Sequence, residues 1–128
     1  MEKTVINSER APAAIGPYSQ AIAVGRTLYI SGQIPLEPGS GAIVGEGLRE
    51  QTVKVLENLK AVVEASGAGM SSICKVTIYL TDMSTFSVVN EIYGSFFSSP
   101  FPARACVEVS GLPKGVQVEM DAVAYIEN

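Results

Sequence analysis

A chain of 128 residues with a net charge of −4 and no histidine rules out several functions before any motif is read. Thirteen acidic groups against nine scattered basic ones give no field that would collect nucleic acid. The missing imidazole removes both the usual general base and the commonest transition-metal ligand, and two distant cysteines, Cys74 and Cys106, do not make a zinc site. The length suffices for one domain that buries roughly two thirds of its unfolded surface without disulfides or metals. Both thiols are expected to be free, as in a cytoplasmic protein. No signal peptide and no apolar run near the ~20 residues of a membrane span are expected. Apolar residues make up 47% of the chain and charged ones 17%, a balance that predicts a surface partly covered by other copies, hence a homo-oligomer.

Lys3 to Ile6 reads as a short strand, and Asn7 to Pro17, rich in Ala, Pro and Gly, as an irregular loop. The loop ends in Gly16-Pro17-Tyr18-Ser19-Gln20, where glycine and proline would hold Tyr18 in one place. Tyr18 is either a turn tyrosine packed on the sheet or a rigid wall of a site. Ala21 to Val24 and Thr27 to Ser31 flank Gly25-Arg26, a two-residue hairpin connection. At Ser31-Gly32-Gln33 a hydroxyl beside a glycine marks either a plain strand end or a place where a ligand approaches the backbone.

From Leu48 to Ser66 the spacing of Val55, Leu56, Leu59, Val62 and Val63 predicts an amphipathic helix that Gly67 and Gly69 stop. Ile73 to Leu80 follows as a strand. Asp82 or Ser84 caps a second helix with the stripe Phe86, Val89, Ile92, Tyr93 and Phe96. Asn90 borders that stripe, facing solvent or offering its amide at the helix edge.

The last stretch carries the chemistry. Arg104, Cys106 and Glu108 alternate with Ala103, Ala105, Val107 and Val109, so a strand would separate them onto two faces. Ser110-Gly111-Leu112-Pro113-Lys114-Gly115 reads as the turn of a hairpin. Antiparallel pairing would then set Cys106 opposite Glu119, gather Arg104, Cys106 and Glu119 on one face, and put Val118, Met120, Ala122 and Ala124 on the apolar face with Ala103, Ala105 and Val107. The element order, three strands, helix, strand, helix and two strands, predicts an α+β domain with both helices on one sheet face.

Pro102-Ala103-Arg104-Ala105-Cys106-Val107-Glu108-Val109, with Gly111-Leu112 and Val118-Glu119-Met120, resembles the signature of the reactive-intermediate deaminase family, RidA or YjgF. Gly16 to Ala21, Ser31 to Pro35, Gln51-Thr52 with Asn58-Leu59, and Val89-Asn90-Tyr93 with Phe96-Phe97 look like further family segments. The resemblance spans nearly the whole chain and implies one RidA-like domain over residues 1–128, with a chorismate-mutase-like fold. It also implies a homotrimer around an inner β-barrel, with ligand clefts between subunits and no cofactor or metal. The implied reaction is hydrolysis of 2-imino acids, such as 2-iminobutanoate and 2-iminopropanoate, to 2-keto acids and ammonia. In the implied site Arg104 binds the substrate carboxylate, Cys106 helps place water through its main chain, and Glu119 is the acid and base. Tyr18, Ser31, Gly32 and Asn90 complete the binding site. A binding or sensing protein for small carboxylic acids is the alternative, and a translation-inhibiting endoribonuclease is a weaker one given the acidic charge.

Overall fold

The computed structural model describes residues 2–127. The strands are β1 (Lys3–Ile6), β2 (Ala21–Val24), β3 (Thr27–Gln33), β4 (Ile73–Leu80), β5 (Ala103–Glu108) and β6 (Val118–Tyr125), and the helices are α1 (Leu48–Ala65) and α2 (Phe86–Phe96). This is the expected order, in an α+β arrangement. Most boundaries fall where hydrophobic period and turn residues put them. β3 runs on to Gln33, and Asp82 caps the short turn ahead of α2, its Oδ1 accepting from the Ser84 backbone N–H at 3.0 Å.

All six strands join one mixed sheet in the order β1-β2-β3-β6-β4-β5. β6 pairs antiparallel with both β3 and β4, while β4 and β5 pair in parallel. A parallel pair needs a crossover, and α2 supplies it. The hairpin expected from the 110–115 turn does not form: β4 lies between β5 and β6. The covered face of a central strand must be apolar. Val118, Met120, Ala122 and Ala124 of β6 meet that demand and are buried. Arg104 and Glu108 do not, so β5 takes the sheet edge, where polar side chains keep access to water.

Both helices cover the same face. Val55, Leu56, Leu59, Val62 and Val63 of α1 and Val89, Ile92 and Tyr93 of α2 pack on Leu28, Ile30, Val76, Ile78, Leu80, Val118 and Met120. Each fully buried aliphatic side chain here stabilises the fold by about 1.5–3 kcal/mol. Among the described residues no helix lies on the opposite sheet face, which exposes large side chains, Val5, Tyr29, Val107 and Tyr125 among them. Among the described residues no helix is long and apolar enough to cross a membrane.

Three buried amides tie the loops to this framework. Gln20 accepts from the Ser8 N–H at 2.6 Å and donates to the carbonyls of Ser8 and Pro12 at 3.0 and 2.8 Å. Asn58 Nδ2 donates to the Ile34 and Leu36 carbonyls, both at 3.1 Å. Gln51 Oε1 accepts from the Gln117 N–H at 2.8 Å, just ahead of β6. A buried backbone group without a partner costs about 1–3 kcal/mol, so these amides decide where the loops can lie. Gln20→Ala strips several partners at once and is expected to lower stability by about 2 kcal/mol, read as a reduced urea midpoint at unchanged m-value.

Candidate active site

The predicted site residues fall into two groups on opposite faces of the sheet. Arg104, Cys106 and Glu108 project to the helix side, in register with Val76, Ile78 and Leu80 of β4. Arg104 Nη1 donates to Asn90 Oδ1 at 2.7 Å, so Asn90 uses its amide at the helix edge rather than facing solvent alone. Asn90, Tyr93, Gly94, Phe101, Pro102 and Arg104 line an open cleft of about 460 Å³.

Cys106 is half-buried, its Sγ 3.9 Å from Met83 Sδ. Burial pushes its thiol above the ordinary value and the Arg104 charge opposes this only in part, so the thiol stays protonated. Glu108 accepts from the Met83 N–H at 2.7 Å and thereby braces the turn that leads into α2.

Glu119 projects to the open face, beside Tyr79 of β4. Its carboxylate lies on Gly32, which belongs to a bulge between Ile30 and Gln33 of β3. A side chain at position 32 would collide with it: an added Cβ would stand 2.9 Å from Glu119 Cδ and nearer still to Oε2. Among the described residues nothing donates a hydrogen bond to Glu119. Burial, with the Asp121 charge adding to it, raises its carboxyl above the ordinary value. Asp121 in turn accepts the Tyr79 hydroxyl at 2.8 Å. Tyr79 and Asp121 are site-bordering residues that sequence reading missed; the signal was there, since Asp121 shares Glu119's strand parity.

Tyr18 stands on the same side as Gly32. Its side chain is 55% exposed, which removes the reading of a tyrosine packed on the sheet. With Ile15, Gly32, Ile34, Pro113 and Lys114 it lines a second cleft, of about 290 Å³. Ser31 secures the approach to Tyr18, its Oγ donating to the Ser19 carbonyl at 2.5 Å and its N–H to the Gln20 carbonyl at 2.9 Å.

One chain therefore brings Arg104 to Asn90, and Glu119 to Gly32, but does not bring Arg104 and Cys106 to Glu119. Across the sheet Cys106 aligns with Ile78 and Met120, whereas Glu119 aligns with Tyr79 and Val107. The expected convergence on a single hairpin face is thus corrected. So is the shared apolar face: Val118, Met120 and Ala122 lie under the helices, and Ala103, Ala105 and Val107 lie on the other side.

The family model for Endoribonuclease L-PSP matches residues 8–126. A RutC family protein of Pyrococcus abyssi is 50% identical over 127 residues, 99% of this chain and 100% of its own. The human 2-iminobutanoate/2-iminopropanoate deaminase is 47% identical over 122 residues, 95% of this chain and 89% of its own. The crystal structure of a Rid-family protein from Yersinia pestis, 46% identical, superposes with a TM-score of 0.95, covering 98% of this chain and 100% of that one. The chain belongs to the RidA/YjgF family. The sheet order and the helix-covered face are accordingly those of a RidA-type fold.

Within this RidA-family chain Gly32 is where site geometry depends most directly on one missing side chain. The clashing atoms lie toward the free end of Glu119, so Gly32→Ala is expected to fold with a loss of about 1 kcal/mol or less while displacing the carboxylate. NMR titration should find the Glu119 pKa moved in the variant; an unmoved pKa would contradict the packing.

Proposed function

We propose that the protein hydrolyses 2-imino acids, with 2-iminobutanoate and 2-iminopropanoate as representative substrates, to 2-keto acids and ammonia. The reading is carried by one observation: the chain holds, on opposite sheet faces, an oriented arginine that lines one open cleft and a half-buried carboxylate, without a hydrogen-bond donor among the described residues, that rests on Gly32 in the wall of another. Neither group suffices alone. A homotrimer in which the Arg104 edge of one copy meets the Glu119 face of the next would complete the site and cover the exposed tyrosines of the open sheet face. The identity to the human deaminase supports this choice of substrate class.

In this mechanism Arg104 grips the substrate carboxylate through paired N–H donors, and Asn90 holds the guanidinium in place. Tyr18, Ser31 and Gly32 form the other wall. Glu119 takes a proton from water as its oxygen attacks C2 and returns that proton to the nitrogen, onto which the C=N π pair has moved. The freed carboxylate then carries the proton of the new C2 hydroxyl to the same nitrogen; the O–H electron pair forms the carbonyl as the C–N bond breaks and ammonia leaves. A carboxyl with a raised pKa is suited to both directions of transfer. Cys106, held as a neutral thiol, serves by placing water through its main chain rather than as a nucleophile.

Added to a threonine dehydratase reaction, the protein should accelerate 2-ketobutanoate release. Arg104→Ala should lower kcat/KM by about a hundredfold, the loss of charge-assisted hydrogen bonds to a carboxylate. Ligand binding with no acceleration would instead identify a carboxylic-acid sensor. Because Glu119 must be ionised to accept the first proton, kcat/KM should fall as pH drops through its raised pKa. Asp121→Asn removes a charge that opposes this ionisation, so the acid limb of the profile should move to lower pH; a limb that stays put would separate Glu119 from the titration.

A further inference from the structure

Arg104 sits on an edge strand, with β4 on one side and, among the described residues, no strand on the other. A lone arginine there would sample many rotamers, and binding a carboxylate would require freezing them. Helix α2 removes that freedom. The Arg104 guanidinium carbon lies 5.1 Å from the centre of the Phe86 ring and 4.9 Å from that of Tyr93, over both rings, while Asn90 accepts one of its N–H groups at 2.7 Å. Residues 86, 90 and 93 are spaced i, i+4 and i+7, so one helical stripe presents ring, amide and ring in succession.

We propose that Phe86 and Tyr93 are positioning residues for carboxylate recognition: they hold the Arg104 guanidinium by its π-facing surface, with its remaining N–H groups aimed into the cleft beside Asn90. The inference rests on the reading of Arg104 as the carboxylate anchor. By period alone these two aromatics are core residues, and Tyr93 is indeed only 3% exposed and packed against Phe97, ring centres 4.6 Å apart and planes tilted by 36°. The core role does not account for the guanidinium over both rings. Nor does it account for a tyrosine whose buried hydroxyl has no hydrogen-bond partner among the described residues. The ring, not the hydroxyl, is what Arg104 meets, and the attraction of a cation for an aromatic face requires only the ring. The same rings leave the planar edge of the guanidinium, where its donors lie, free for a carboxylate.

The test is calorimetry of 2-oxobutanoate binding to the intact protein, alongside kcat and KM in the coupled imine assay. Phe86→Leu and Tyr93→Leu should each weaken binding and raise KM by about threefold, with kcat within about twofold of wild type. Phe86→Tyr and Tyr93→Phe, which restore a ring under the guanidinium, should recover the affinity. Wild-type affinity in folded Phe86→Leu protein would overturn the proposal, as would Tyr93→Phe losing as much as Tyr93→Leu, since the hydroxyl would then be the active part. Should Tyr93→Leu fail to fold, the Phe86→Leu and Phe86→Tyr pair decides alone. Arg104→Ala distinguishes the two levels: if it binds 2-oxobutanoate like wild type, the carboxylate reading itself falls. If it loses binding while the leucine variants do not, only the clamp falls.

Discussion

The parallel pairing of β4 with β5 is the constraint on which the other features depend. It needs a crossover, and the crossover is α2, which must return across the sheet and land above the edge strand it connects. That landing puts Phe86, Asn90 and Tyr93 over Arg104. It also leaves the other side of β4 for β6, so that the sheet alternation sends Arg104 and Glu119 to opposite faces. A hairpin in the same place would have buried Arg104 and Glu108 near the middle of a helix-covered sheet, at a desolvation cost of several kcal/mol per charge.

The loops are held by a different means. Gln20, Asn58 and Gln51 lend side-chain amides to backbone groups that belong to neither helix nor sheet, so segments rich in proline and glycine occupy defined positions without secondary structure of their own. Tyr18 is placed by such a tied loop, whereas Ser31 and Gly32 are carried by β3 itself. The exposed tyrosine is thus mounted on a loop anchored at the next residue, where Ser31 Oγ donates to the Ser19 carbonyl, and again at the enclosed Gln20. Such mounting combines access with order, as a binding wall requires.

The two faces differ electrostatically as well as geometrically. On the helix side a guanidinium keeps the neighbouring thiol pKa from rising as far as burial alone would take it. On the open side Glu119 and Asp121 oppose each other's charge, and the Tyr79 hydroxyl goes to Asp121, leaving Glu119 as the group with lone pairs to spare. A fold that isolates cation and carboxylate avoids the internal ion pair that would quench both. Tyr29 and Tyr125 of the open face stay exposed within one chain, in contrast to the helix-covered face.

By itself the sequence determined most of the element boundaries, the helix-facing stripes and the residue types available for chemistry, because each of these follows from local spacing: the period of Val55 to Val63 and the alternation about Arg104. It also pointed to Gly32 and Asn90, though not to what they touch. Strand order was another matter. The turn at Gly111 to Gly115 has the residues of a hairpin, and local chemistry alone favoured one. Its strands part company because β6 is apolar enough to be central and β5 is not, a comparison that acquires meaning only once two helices cover one face. Which residues meet across the sheet, that Asn90 and two aromatics hold Arg104, and that Glu119 rests on a bulge, are long-range outcomes decided by tertiary structure, where the cost of burying charge outweighs the preference of a turn.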